Sequence, residues 1–342
     1  MSTSPHRVSR ARGLAQNLGL TAATIIGILV VLEVGLSLAG YGDLIIYKPD
    51  DTLYWRPKPN QTCHTKVGRH PVTVNSHGTR GEEFSTVKPP GDFRILCVGD
   101  SRTFGWGLAD GDTYPAILQD SLRALAGDMP RVEVINAGVN GWSWSQVFAF
   151  LRDTGLSYDP DVIVVADAYS YTSFTEDRDN AFVADMRRRV WFKNLLRRSA
   201  VYHYFVEYKF RELYHRLGQL AFPGRRNTTG DGGVDSSRVD TDEGYYRTYV
   251  MRVCELLEQN GVPFILLHLP TEGETSAKRP TVWNAKYDAA LKYGVPFVDV
   301  TDAFLASKEK LFLQADPLHQ NAAGNRIIAG RLFQVLEGRV RR

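Results

Sequence analysis

Five short apolar runs constrain this chain more than any other feature. They lie at 94–98, 132–135, 161–166, 262–269 and 296–300. Runs of this length, without strict alternation, suit strands buried on both faces of a parallel sheet. Between and after them, 114–125, 143–154, 242–260 and 321–336 carry apolar residues at helical spacing. In the last of these, Ile327, Ile328, Leu332 and Val335 share one side. Strands alternating with helices predict an α/β fold with three layers, about five parallel strands covered by helices on both faces. Functional residues in such sheets collect beyond the carboxyl ends of the strands. Ser101, Asn140, Gly141 and Ser170 all fall just past a predicted strand end.

The 342 residues exceed what this sheet needs, so further segments are expected. Residues 13–32 carry no charge, and after Glu33 the apolar character resumes to about Ala39. That length suffices to cross a bilayer as a helix. Arg7, Arg10 and Arg12 precede the segment and Asp43 is the next charge after Glu33, so the positive-inside rule keeps the start in the cytoplasm. A cleaved signal peptide has a shorter apolar region, so an uncleaved anchor is the expectation. Glu33 lies toward its outer end, within reach of the interface. The expected organisation is a cytoplasmic tail (1–12), an anchor (13–40), a Pro- and turn-rich tether and edge elaboration (41–92), and the α/β domain (93–342). A helical insertion occupies 176–240 of that domain.

Composition closes several alternatives. The net charge is only +3, which gives little support to general nucleic-acid binding. Arg and aromatic residues interleave after Arg187, but an amphipathic helix packed on the sheet or lying near a membrane surface accounts for them. Cys63, Cys97 and Cys254 are widely spaced and odd in number, neither a disulfide framework nor a zinc pattern. The eight histidines include no His-x-x-x-His pair, and no Gly-x-x-x-x-Gly-Lys loop is present. No metal or other cofactor is therefore expected.

The chemistry gathers on a few positions. A serine hydroxyl needs a base within hydrogen-bond reach, and the base needs an orienting group. Ser101 follows the first strand in a Gly99-Asp100-Ser101 turn. His319 lies three residues after Asp316, and a helical turn there would bring the carboxylate to the imidazole. The backbone N–H groups of Ser101 and Gly141 are candidate donors to an oxyanion. A Gly-Asp-Ser tripeptide alone arises by chance in on the order of one chain in ten. The ordered set, each piece at its own strand end, is far more specific.

Three blocks carry a resemblance. The first is Ile95-Leu96-Cys97-Val98-Gly99-Asp100-Ser101-Arg102-Thr103-Phe104-Gly105. The second is Val134-Ile135-Asn136-Ala137-Gly138-Val139-Asn140-Gly141. The third is Asp316-Pro317-Leu318-His319-Gln320-Asn321-Ala322-Ala323-Gly324. In this order they resemble the GDSL, or SGNH, hydrolase superfamily over about 250 residues. The resemblance implies a flavodoxin-like α/β/α fold and an ester hydrolase, with Ser101 as nucleophile, His319 as base, Asp316 orienting it and Gly141 giving an oxyanion N–H. Asn75-Ser76-His77-Gly78-Thr79-Arg80-Gly81, with the single membrane segment, is similar to membrane-anchored bacterial members. That implies an inner-membrane protein with a periplasmic domain acting on esters or acylated carbohydrate of the envelope or of exported glycans. One block departs. The superfamily has Gly-x-Asn-Asp after the third strand, and here Ala168-Tyr169-Ser170-Tyr171 stands there, with Ser170 in the Asn place. Ser170 or Asn140 would then have to supply the third donor. Asp167 is a rival polar group, read more simply as a strand-end cap. Three readings stay open: an acyl or acetyl esterase, an O-acyltransferase using the same triad, and an inactive carbohydrate-binding scaffold.

Overall fold

The computed structural model describes residues 5–126, 131–168, 180–210, 229–230, 234–235, 243–275, 277–314 and 316–340. The predicted sheet is present. Its strands are β5 (Phe93–Gly99), β6 (Val132–Gly138), β7 (Val162–Val165), β8 (Phe264–His268) and β9 (Phe297–Asp299), all parallel. They lie in the order β6-β5-β7-β8-β9, which is 2-1-3-4-5 and thus flavodoxin-like. The order reverses beside β5, whose carboxyl end carries Ser101.

Helices cover both faces. Successive residues of β5 point to opposite sides, so Ile95 and Cys97 join one core while Leu96 and Val98 join the other. The first core is closed by α3 (Tyr114–Ala126), the short α9 (Thr301–Ala306) and α10 (Ala322–Val340), through Leu118, Leu122, Phe304, Ile328, Leu332 and Leu336. The second is closed by α4 (Trp144–Asp153), α7 (Glu243–Gln259) and α8 (Thr281–Tyr293), through Val147, Leu151, Val250, Val253, Leu257 and Ala289. All three cysteines are buried and free, and burial pushes the Cys63 and Cys254 thiols up to about 12.

Residues 44–80 hold more order than their prolines suggest. Two antiparallel hairpins form, β1 (Tyr47–Asp50) with β2 (Tyr54–Pro57) and β3 (Gln61–His64) with β4 (Pro71–Val74). Arg80 bridges to Asn136, which ties this segment to the β6 edge of the main sheet. In the insertion, α5 (Asn180–Arg197) packs on β1 and β2, and α6 begins at Ala200–Tyr202 and continues to Phe210 as a wider π-type helix.

The chain starts with α1 (Pro5–Leu38), of which Gln16–Leu38 is long and apolar enough to cross a membrane. Its 23 residues span about 34 Å as a helix. A signal sequence would have the same character.

Candidate active site

Ser101, His319 and Asp316 meet at the carboxyl end of β5. Its last residue, Gly99, is followed by Asp100, whose carboxylate caps the short α2 (Ser101–Phe104) by accepting from the Arg102 N–H. Ser101 therefore opens a helix, where its own N–H has no intrahelical acceptor. The approach is tight. A Cβ on Gly138, at the end of β6, would stand 2.3 Å from the Phe104 nitrogen, so only glycine lets β6 run this close to α2.

Ser101 Oγ lies 2.8 Å from His319 Nε2, and His319 Nδ1 lies 2.8 Å from Asp316 Oδ2. All three side chains are nearly buried. The expected helical turn between Asp316 and His319 is absent. Instead, Asp316 Oδ1 accepts from the backbone N–H groups of Leu318 and His319 in a tight bend. One carboxylate oxygen thus builds the loop while the other meets the imidazole. Trp106 leans over the His319 ring at 5.7 Å between centroids, and its buried indole N–H has no partner among the described residues. Such a hydroxyl–imidazole–carboxylate chain can accept the serine proton, keep the imidazole in one tautomer and stabilise its cationic form.

The second strand's turn flanks the same place. Gly141 has φ +78°, a left-handed conformation that favours glycine. Trp55 of β2 packs against it, donates its indole N–H to the Asn140 carbonyl and accepts from Trp142. The Asn140 side-chain amide donates to the Tyr47 hydroxyl at 2.7 Å, so one of its two N–H bonds is already engaged. Ser170 lies outside the described residues. Asp167 is no simple strand-end cap. Its fully buried carboxylate pairs with the buried Lys286 ammonium, accepts from the Leu269 N–H at 2.7 Å, and lies 3.3 Å from His268 and 3.8 Å from Arg102. Burial alone would push the Asp167 carboxyl up. Lys286, His268 and Arg102 outweigh it and hold the carboxyl well below the ordinary carboxylate range. Arg102 in turn pairs with Asp100 at 2.8 Å, so the network reaches the residues either side of the Ser101 backbone.

Arg80 supplies a second support that sequence reasoning missed. Its buried guanidinium donates to the carbonyls of Phe104, Gly105 and Leu108 and pairs with Asp110. It satisfies the carbonyl end of α2 and fixes the turn that carries Trp106. A cleft lies elsewhere, among Arg80, Glu82, Arg123 and Glu133, and contains neither Ser101 nor His319.

Asp316→Asn separates the two functions of this carboxylate. The amide oxygen still accepts the bend's N–H groups, but the imidazole loses its anionic partner. We expect kcat for a small ester to fall about 10⁴-fold with little change in melting temperature. A fall below tenfold would mean that Asp316 only shapes the loop.

The sequence matches the GDSL-like Lipase/Acylhydrolase family over residues 97–327, more than half of the chain. No curated protein matches it. Solved structures with a similar course include an α/β hydrolase enzyme from the metagenome of Lake Arreo, Spain (18% identity, 72% of this chain and 96% of that one, TM-score 0.43). Another is a variant of an acetyl-xylooligosaccharide esterase from Geobacillus Stearmophilus (17% identity, 71% and 93%, TM-score 0.44). A third is a lipase/acylhydrolase from Enterococcus faecalis (15% identity, 72% and 96%, TM-score 0.43). The family match extends from the strand leading to Ser101 past His319, and on it the chain belongs to the GDSL-like lipase/acylhydrolase family and is a hydrolase of ester bonds.

Proposed function

We propose that this protein is a serine-dependent acyl or acetyl esterase, held at the bacterial inner membrane by α1 and acting on acylated glycans of the envelope or in export. The hydrogen-bonded chain Ser101–His319–Asp316 carries this reading. Ser101 Oγ attacks the ester carbonyl as His319 Nε2 takes the hydroxyl proton. The developing oxyanion draws on the Ser101 and Gly141 N–H groups, with Ser170 or the second Asn140 N–H as a third donor. Collapse of the tetrahedral intermediate expels the alcohol, which receives the proton from His319, and leaves the acyl group on Ser101. Water activated by His319 then cleaves that bond, releasing the acid and restoring the hydroxyl.

Localisation rests on charge and length. Arg7, Arg10 and Arg12 keep the start of α1 in the cytoplasm, and the catalytic domain follows on the periplasmic side.

Hydrolysis of p-nitrophenyl acetate by the full chain tests the reading. The wild type should exceed Ser101→Ala by at least about 10³-fold, and equal rates would overturn it. Ser170→Asn should hydrolyse as fast as wild type or faster, because the amide is a longer and better fixed donor. A large loss would give Ser170 a role other than oxyanion donor. Should added acceptor glycan divert most product from free acid to acylated sugar, the enzyme is a transferase.

A further inference from the structure

Helix α5 turns the wrong face outward for a helix that serves only the domain core. One side meets β1 and β2. Val190 is buried, the Asn194 side chain exchanges hydrogen bonds with the Tyr47 backbone in both directions, Arg187 pairs with Asp51, and the Arg197 guanidinium lies over the Tyr47 ring. The opposite side is Arg188, Trp191, Phe192 and Leu195, at i, i+3, i+4 and i+7. Those three apolar side chains are 65%, 54% and 55% exposed, and Phe205 and Val206 of α6 extend the apolar surface. Between 180 and 198 there are six Arg or Lys residues and one acid, Asp185.

Hydrogen bonds to α1 locate this face. Glu33 of α1 accepts from Ser199 Oγ at 2.8 Å, from the Ala200 N–H at 2.6 Å and from the Val201 N–H at 3.1 Å. It caps α6 from within the anchor, five residues before Leu38, which is about 7 Å along the helix. Where α1 ends, the Gly42 N–H donates to His203 Nδ1, and the Leu44 N–H donates to the Arg197 carbonyl. The α5–α6 corner is thus bolted to the last turns of the apolar span. Leu195 is four residues before Ser199, so the end of α5 lies close to the last turns of α1.

We propose that this outward face is a second membrane contact. Trp191, Phe192 and Leu195 enter the interface of the leaflet in which α1 ends, and the surrounding arginines meet anionic phospholipid head groups. An apolar stripe with Trp and Phe, bordered by Arg and Lys, is the pattern of helices that lie in that plane. The contact sets the orientation of the catalytic domain. The same α5 supports Tyr47, and the hairpin it packs on supplies Trp55, which walls the Gly141 turn. Helix α5 and the hairpin therefore stand between the lipid and the candidate site. This inference rests on α1 being retained as an anchor and is independent of the chemistry at Ser101.

The test uses the full chain in vesicles of phosphatidylcholine and phosphatidylglycerol, prepared with or without bromine on the acyl chains. Helix α1 contains no tryptophan. The emission of wild type minus that of Trp191→Phe isolates one residue. We expect brominated lipid to lower this difference signal at least twofold, while aqueous iodide leaves it nearly unchanged. Quenching by iodide and not by bromine would place Trp191 in water and overturn the contact. Shielding from both would mean that protein covers it, which overturns the contact equally. Carbonate washing reports α1 separately. Release of the chain into the wash would overturn the anchor reading and the α5 contact with it, whereas retention with an unquenched Trp191 refutes the contact alone.

Discussion

Replacing His319 by alanine should lower kcat for a small ester about 10⁴- to 10⁶-fold, close to the loss from Ser101→Ala, and the double variant should lose little more. Losses of this size are expected if the two residues act as one unit. Without the imidazole 2.8 Å away, the Ser101 hydroxyl keeps its proton and is a poor nucleophile. The residual rate should reflect binding and the oxyanion donors alone. His319 lies in a bend rather than in a strand or helix, and its ring packs on Trp106. The melting temperature should therefore change far less than the rate. Additive losses in the double variant would show that Ser101 and His319 act separately and would contradict a shared proton transfer.

Lys286→Met should be the most destabilising single change away from the triad, at about 3–5 kcal/mol at neutral pH, measured by denaturant unfolding of the folded wild type and variant. Lys286 and Asp167 are both fully buried, and removing the ammonium strands a carboxylate beside the sheet. The sign of the pH dependence follows from the depressed Asp167 carboxyl. Its pairing contributes stability above the ordinary carboxylate range, near pH 4, and that contribution is lost as the pH falls toward its lower folded value. The variant has less of this contribution to lose, so its deficit should narrow on acidification. Activity should fall too, because Asp167 accepts from Leu269 and, through its backbone carbonyl, from Asp100 next to Ser101. A deficit below 1 kcal/mol would mean that the network is not what holds this end of the sheet.

Local pattern makes the sheet and the triad legible. Each of the five strands centres on a short, mostly apolar run, and Asp316 and His319 are three residues apart, so their meeting needs only a bend. Long-range and weakly apolar features are not legible. Lys286 and Asp167 are 119 residues apart, and nothing in either neighbourhood names the other. Lys286 also sits within α8, whose buried face is Val282, Ala285, Ala289 and Ala290. Small side chains give only a faint helical period, too weak to predict this helix. The hairpins before β5 have strands of four residues, two of them ending or starting in proline, too short for alternation to register. For α5 the helical spacing is readable, but which face turns outward depends on Tyr47 and Asn194 meeting across the fold. Glu33 is the awkward charge of the apolar segment, and its partners, Ser199 to Val201, lie 166 to 168 residues downstream.

A fluorophosphonate phosphonylates an activated serine hydroxyl and so reports on Ser101 itself. The full-length protein should be modified once, and peptide mass spectrometry should find the phosphonyl group on Ser101. Ser101→Ala should not be labelled, and His319→Ala should be labelled at least about 10³-fold more slowly. A folded wild type that stays unlabelled, or a label on another residue with Ser101 unmodified, would contradict the assignment of Ser101 as the nucleophile.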